Sequence, residues 1–424
     1  MNNLQKTLNR LQKLHPKEID LSLNRIKLIC KKLGYPQKNL KVISVVGTNG
    51  KNSVIQIMRS ILNEASIKTN IYTSPHLQKI NERFVFNSNE IEDNELSKLL
   101  IEIENINNKD QITYFEILTA AFLKKAQENK NNLNIVEAGL FHRFDATNIF
   151  EKNLASVITA IGMDHTDWLP EDERTIKKII FEKTSSLLNS KIIVSKQQNE
   201  EILSEIKESL INNFSKKIFF KDTYSYSLNE NDFFYYEDEF GGLKLPMPNL
   251  LGEFQLENIA TAIATLRNIE DIRIKEKDIS EGIKKVKITG RLQELKSGNL
   301  KRIINKNKLI IDGSHNPLGG KVLSKYLESI DNKIHLIIGM MSNKNHQEFL
   351  DNFINKVSSI TTIDIPNQQS AIKGEELKNK LKGFKNIKYK KSLIEALKSL
   401  DLKEDEMVLV TGSLYLVGEV LNLN

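Results

Sequence analysis

At 424 residues the chain is too long for one ordinary domain, and two or three are expected. With 40% hydrophobic and 27% charged residues it can bury sizeable cores, and no apolar run approaches the roughly 18 residues that a membrane-crossing helix needs. The single cysteine, Cys30, excludes an internal disulfide or a multi-cysteine metal site, and the net charge of +7 is scattered among asparagines and isoleucines rather than gathered into a basic patch with aromatics. The opening stretch MNNLQKTLNRLQKL is polar and amphipathic and lacks the apolar middle of a secretion signal. A cytoplasmic protein with no nucleic-acid or membrane partner is the expectation.

In chain order, short apolar runs alternate with amphipathic helical patterns. The strand candidates KVISVV (41–46), NLNIVEAG (132–139), ASVITAIG (155–162) and KIIVS (191–195) are interleaved with helical stretches such as VIQIMRSILNEA (54–65) and FEILTAAFLKKAQE (115–128). Buried strands separated by helices predict an α/β fold with a parallel sheet covered on both faces. From Tyr224 to Pro248 aromatic runs are split by Asn-rich and Gly-Gly turns, which predicts an antiparallel insert of two or three strands, followed by a helix over 254–269. After Gly290 the alternation restarts with KLIIDG (308–313), IHLIIGM (334–340), ITTIDI (360–365) and EMVLVTG (406–412). This is a second, smaller α/β domain, with the division placed near 287–295 to give 1–289 and 290–424.

The stretch VISVVGTNGKNS (42–53) has the setting of a phosphate loop: a strand runs into Gly47 and Gly50, and a helix begins just after Lys51. Glycines admit phosphate oxygens close to backbone N–H groups, and the helix N-terminus favours negative charge. Lys51 would neutralise phosphate, and Ser53 or Thr48 could face a magnesium ion. The competing reading is a Gly-rich turn with a solvated lysine. The common loop puts a hydroxyl directly after the lysine, whereas here Asn52 intervenes.

Other candidates follow strand ends. YTSPHLQKINERF (72–84) turns at Ser74-Pro75 and brings Ser74 and His76 towards the mouth of a sheet; a Ser-Pro turn with a surface histidine is the plainer reading. NIVEAGLFHRFDATN (134–148) ends a strand at Glu137, a plausible metal ligand, and AIGMDHTDWLP (160–170) does the same with His165. Ser53, Glu137 and His165 from three strand ends suggest a shared magnesium site. In the second domain Asp312 and His315 leave a strand in IIDGSHNPLGG (310–320), and Arg291 near the division is a candidate phosphate contact. Turn formation and helix capping are the plainer roles of Asp312 and Asn316.

Together, GTNGKNS (47–53), TSPHL (73–77), NERF (81–84), FE (115–116), RFDATN (143–148), MDH (163–165), EK (182–183), LENIATA (256–262), GRLQ (290–293), DGSHNP (312–317) and GSLYLVGEV (412–420) resemble the folylpolyglutamate synthase and dihydrofolate synthase family, within the Mur ligase superfamily. The late serine of the loop is that superfamily's own spelling. The resemblance implies an N-terminal P-loop-containing Mur-ligase-like ATPase domain with a small antiparallel β insert, plus a smaller C-terminal Rossmann-like α/β domain. It implies an enzyme that uses ATP and Mg2+ to phosphorylate the carboxylate of dihydropteroate or a reduced folate, and then lets L-glutamate attack the acyl phosphate. Family members are often monomers.

By position, the resemblance places Gly50, Lys51 and Ser53 on the ATP phosphates and first magnesium, with Thr48, Asn49 and Asn52 beside them. Ser74, Glu137 and His165 complete the metal sites, and Lys183 matches a lysine that can be carbamylated to serve a second magnesium. Asn258 and Arg291 match nucleotide contacts, and Asp312 and His315 match ATP and phosphate contacts of the second domain. Lys51, Lys183, His165 and His315 are thus the expected catalytic set. The chain departs from the family pattern at Asn52, where glycine is usual, and at GLFHR (139–143), where Gly-Leu-Gly-Gly-Arg is common. It departs again at EKTSSL (182–187), usually E-K-A-G-I, and at Phe254, where histidine is frequent. Two rival readings stay open: a Mur-type ligase acting on a cell-wall nucleotide sugar, and a non-catalytic nucleotide-binding protein.

Overall fold

The computed structural model describes residues 3–13, 20–228, 233–384 and 386–424. The chain divides into two compact units. The first comprises 1–161, 173–249 and 256–286; the second comprises 162–172, 250–255 and 287–424.

The first unit is built on an eight-stranded sheet. Its strands are β1 (Lys41–Val46), β2 (Thr69–Tyr72), β3 (Phe84–Phe86), β4 (Asn89–Glu90), β5 (Leu133–Glu137), β6 (Ala155–Ile158), β7 (Lys191–Val194) and β8 (Lys217–Phe219). The order β4-β3-β2-β5-β1-β6-β7-β8 puts β1 between β5 and β6, both parallel to it. β3 and β4 form the antiparallel edge. β1, β5 and β6 are buried almost throughout, the composition that a sheet covered on both faces requires. One helix of the cover, Tyr114–Gln127, starts with a reciprocal cap in which Thr113 and Glu116 each accept the other's N–H. Its Phe122 stacks on Tyr72 and Phe86 in the core on that face.

The expected insert is a three-stranded antiparallel sheet of β9 (Tyr224–Leu228), β10 (Phe233–Asp238) and β11 (Leu243–Pro246). The Asn-rich turn expected between the first two strands lies outside the described residues. A helix over Glu253–Arg267 follows.

In the second unit, β12 (Gln293–Glu294), β13 (Lys308–Ile311), β14 (Ile334–Ile338), β15 (Ser359–Ile363), β16 (Ile387–Lys390) and β17 (Met407–Thr411) form a sheet of order β12-β13-β17-β14-β15-β16. All its pairings are parallel except the short β12 edge. Helix Pro317–Glu328 begins with proline at its first position and the Asn316 side chain accepting the Gly319 N–H, so the plain capping role expected of Asn316 is realised. Among the described residues no helix is long and apolar enough to cross a membrane.

Candidate functional site

In an open parallel sheet, ligands sit beyond the carboxyl ends of the strands where the strand order reverses. In the first unit that point is the end of β1, flanked by β5 and β6, and the segment leaving it is Gly47–Gly50. Two glycines shape it. Gly47 has φ +145°, and a Cβ there would lie 2.0 Å from Thr159 Oγ1. Gly50 has φ +92°, and its Cβ would stand 2.8 Å from Asn258 Oδ1. The tight fit shows that Asn258, expected from resemblance, lies against the loop.

The N–H groups of Thr48 and Asn49 both donate to Ala160 O, at 2.9 and 3.1 Å. Their amides hold the loop in place, so the donors left to an anion are those of the first turn of helix Lys51–Glu64, which have no carbonyl within the helix to accept them. Lys51 Nζ curls back to Gly47 O and Thr48 O, each at 3.2 Å, and Ser53 sits buried in that first turn.

Glu137, at the end of β5, is buried beside the loop. Its Oε1 lies 3.9 Å from Lys51 Nζ, and its Oε2 accepts the Ser74 N–H at 3.1 Å. Lys183 comes from helix Ile176–Thr184, is buried, and donates from Nζ to Gly47 O at 3.0 Å. Ser53, Ser74, Glu137, Lys51, Lys183 and Asn258 are thus gathered at one end of one sheet. His76, read as a surface residue, is instead half-buried and accepts from Arg83 Nε at 3.0 Å; burial and that guanidinium hold its imidazole down at about 4.

The remaining expected residues belong to the second unit. His165 is in the left-handed region, φ 59°, and its N–H donates to Asp164 Oδ1 at 2.9 Å. Asp164 is a buried hub. Lys344 Nζ reaches its Oδ1 at 2.6 Å, Asn316 Nδ2 its Oδ2 at 2.9 Å, and His315 Nε2 lies 3.7 Å from the latter. Burial works against its charge, but His165, His315 and Lys344 together hold the carboxyl well below the usual carboxylate range. Burial, with Lys344 nearby, brings His315 down to about 4 against the pull of Asp164. His315 is therefore neutral at pH 7, and Lys344 carries the compensating charge.

Asp312 spends both oxygens on its own chain, accepting the N–H groups of Leu292 at 2.9 Å and Ser314 at 2.8 Å. With the Gly313 N–H bonded to Gly290 O at 2.9 Å, it fixes the turn that carries Arg291. A Cβ on Gly313 would lie 3.2 Å from Arg291 Nη1, so the guanidinium packs close against that glycine.

Among the described residues no three His, Cys, Asp or Glu side chains cluster closely enough to hold a metal by themselves. Magnesium does not require such a cluster: it keeps waters and takes one or two carboxylates together with substrate phosphates. One buried carboxylate, Glu137, close to Lys51 of a phosphate loop whose first helical turn holds Ser53, fits that donor set.

Residues 45–266 match the family model of the Mur ligase middle domain, and residues 296–423 match that of the dihydrofolate synthetase C-terminal domain. The chain belongs to the dihydrofolate synthase/folylpolyglutamate synthase family of Mur ligases. It is 29% identical to the dihydrofolate synthase/folylpolyglutamate synthase of Escherichia coli (strain K12), covering 98% of this chain and 94% of that one. Among solved structures it is similar to E. coli FolC in complex with DHPP and ADP, with a TM-score of 0.87, 29% identity and coverage of 99% and 97%. It is also similar to the bifunctional folylpolyglutamate synthase/dihydrofolate synthase of Yersinia pestis complexed with AMPPNP and Mn ion, at a TM-score of 0.86, 25% identity and coverage of 100% and 98%.

The departures from the family pattern have local physical accounts. Asn52 lies inside helix Lys51–Glu64 and has no positive φ, so a side chain there costs the loop nothing. Phe254 is partly buried against the apolar core of the second unit and contributes packing there. In GLFHR, Phe141 adopts φ 56° with its ring buried, and His142 is buried with Nδ1 2.9 Å from Ser186 Oγ. Asp145 ties the start of the loop by accepting the N–H groups of Gly139 and Leu140 at 3.1 and 2.9 Å. Sequence reasoning missed Thr159, which sets the space at Gly47, and Lys344, which nothing distinguished among 61 lysines and arginines.

Proposed function

We propose that the chain is an ATP-dependent ligase that joins L-glutamate to dihydropteroate and to reduced folates, with ATP and a divalent cation at the first unit's loop. The observation that carries the site assignment is the convergence of Lys51, Glu137, Ser53 and the open first helical turn at the reversal point of the sheet. A carboxylate is a poor electrophile. Transfer of the γ-phosphoryl group to its oxygen, with ADP leaving, creates an acyl phosphate whose phosphate is a good leaving group. The glutamate nitrogen then attacks the acyl carbon, the tetrahedral adduct expels phosphate, and the amine proton is lost.

In this reading Lys51 neutralises charge building on the transferred phosphoryl group, and the amides of the first helical turn receive its oxygens. Within the first unit, Glu137, Ser53 and Ser74 are the proposed holders of magnesium, which when bound would screen phosphate charge. Asn258 is the first unit's proposed nucleotide contact; Arg291, Asp312 and His315 are the phosphate contacts proposed for the second unit. The protein is proposed to be a cytoplasmic monomer without nucleic-acid or membrane partners, which accords with its scattered charge.

The test is phosphate release from MgATP and L-glutamate, with dihydropteroate or tetrahydrofolate as acceptor. Turnover with both supports the bifunctional ligase, and turnover with one alone narrows it to that reaction. Lys51→Ala should abolish turnover in a folded protein; wild-type ligation by that variant would overturn the loop assignment. Turnover with UDP-muramoyl substrates alone, or ATP binding without turnover, would overturn the folate assignment.

A further inference from the structure

Strands β6 and β7 pair in parallel up to Ile158 and Val194, and the Ser195 N–H extends the ladder by a bond to Ile158 O at 2.9 Å. Beyond it the chain runs on through Thr159, Ala160 and Ile161, and Thr159 and Ile161 are fully buried. Buried backbone groups need partners there as they do within a sheet. Two consecutive side chains supply them. Gln197 accepts the Ile161 N–H on Oε1 at 3.0 Å, and donates from Nε2 to Ser195 O at 3.0 Å and Thr159 O at 3.4 Å. Gln198 donates from Nε2 to Ile161 O at 2.8 Å. The Gln197 pattern asks for one acceptor and two donated protons at the end of one side chain, which is what a primary amide offers.

The residues held in this way are those on which the phosphate loop is moulded. Ala160 O receives the N–H groups of Thr48 and Asn49. Thr159 bonds Val46 O through its N–H at 2.8 Å and its hydroxyl at 3.2 Å, and it fills the space that a Cβ on Gly47 would need. Ile161 is also the residue at which the chain leaves the first unit, passing into the second at Gly162. Both of its backbone polar groups are thus fixed at the exit.

We propose that Gln197 and Gln198 are positioning residues of the ATP site. They lock Thr159–Ile161, and through Ala160 O they set where Thr48 and Asn49 stand. This rests on the reading of that loop as the ATP site, and it adds a part of the chain that neither the loop's own spelling nor its charged neighbours point to.

Gln197→Glu tests it, because the variant keeps the side chain's shape and the acceptor for the Ile161 N–H but turns a second oxygen on Ser195 O and Thr159 O. Calorimetric titration with a non-hydrolysable ATP analogue at about pH 8 should show an affinity loss of about 3–30-fold, the range for a change carried through intervening contacts. Relative to wild type at each pH, the loss should shrink towards about pH 5, where the introduced carboxyl begins to protonate and can donate again. In turnover the KM for MgATP should rise while those for L-glutamate and the folate acceptor stay as they are. Hydrogen exchange read by mass spectrometry should quicken in the peptide holding Thr48 and Asn49, with wild-type rates kept in the second unit. Gln198→Glu, at an exposed position, guards against misfolding and should act in the same direction by facing Ile161 O with a carboxylate.

Wild-type affinity and wild-type exchange at Thr48 and Asn49 in folded Gln197→Glu would overturn the proposal. So would a loss of protection spread evenly over both units, which would reduce the glutamines to general stability. A wild type that binds no ATP analogue would bring down the reading of the loop, while the exchange comparison would still decide whether the glutamines hold it.

Discussion

Gly47→Ala isolates the close approach on which the phosphate loop depends. The new Cβ would stand 2.0 Å from Thr159 Oγ1, 3.1 Å from Thr159 Cβ and 3.2 Å from Thr159 C. The hydroxyl can rotate away only by giving up its bond to Val46 O at 3.2 Å, worth about 1 kcal/mol. The remaining Cβ and backbone contacts are tighter than ordinary packing and add about 1–3 kcal/mol. Holding alanine at φ +145° adds about 1–3 kcal/mol more. The sum, about 3–7 kcal/mol, must appear either as lost stability or as a loop that leaves its binding geometry. At about 1.4 kcal/mol per tenfold, even the low end predicts a loss of at least about 100-fold in MgATP affinity if the loop yields first. Calorimetric titration with a non-hydrolysable ATP analogue and thermal unfolding separate the two. Adding Thr159→Ala removes the hydroxyl overlap but not the backbone strain, so the double variant should recover part of the loss and the cycle should be non-additive. Wild-type affinity and stability in Gly47→Ala would refute the geometry.

The buried Asp164–Lys344 pair makes a second test. Lys344→Met leaves a buried carboxylate without its counter-charge and should cost about 3–5 kcal/mol in the second unit, whereas the Asp164→Asn/Lys344→Met double variant should be closer to wild type. Denaturant unfolding decides it, and a single variant within 0.5 kcal/mol of wild type, on the order of a surface change, would refute the hub. His142 supplies a pH dependence. Burial, with Lys183 nearby, lowers it to about 4 from an ordinary 6.5. Between those values the unfolded chain binds the extra proton, so stability rises with pH across the window and is lost as pH falls from 6.5 towards 4. The contribution is about 3 kcal/mol, and His142→Gln should flatten that part of the stability profile. An unchanged slope would show that the imidazole titrates alike in the folded and unfolded chain, against the shift that burial implies. Chelation by EDTA should abolish glutamate-dependent phosphate release and Mg2+ or Mn2+ should restore it; turnover insensitive to EDTA would remove the metal from the proposal.

The residues that were legible in the sequence are those whose role is written within a few positions of themselves. β1, Gly47, Gly50 and the helix starting at Lys51 form one local signal, and Glu137 is marked by ending an apolar strand. Of the strands outside the expected set, β4, β8, β12 and β16 are short or half-exposed edge segments whose pairing rather than composition makes them strands, and β3 is a buried run of only three residues. Asp164 and Lys344 are 180 residues apart, and no periodicity links them; only the folded second unit makes them partners.

The GLFHR loop shows the same limit from the other side. Two large residues where the family commonly has glycines are visible at once. Sequence, however, carries neither the sign of a backbone angle nor the direction of a ring. Phe141 is placed by bonds that its neighbours make: His142 and Arg143 to Glu182, and Asp145 back to Gly139 and Leu140. Those bonds hold a left-handed phenylalanine with its ring centroid 5.5 Å from Lys183 Nζ. The departure thus lies against the lysine whose Nζ donates to the Gly47 carbonyl of the phosphate loop, a neighbourhood that only the folded first unit brings together.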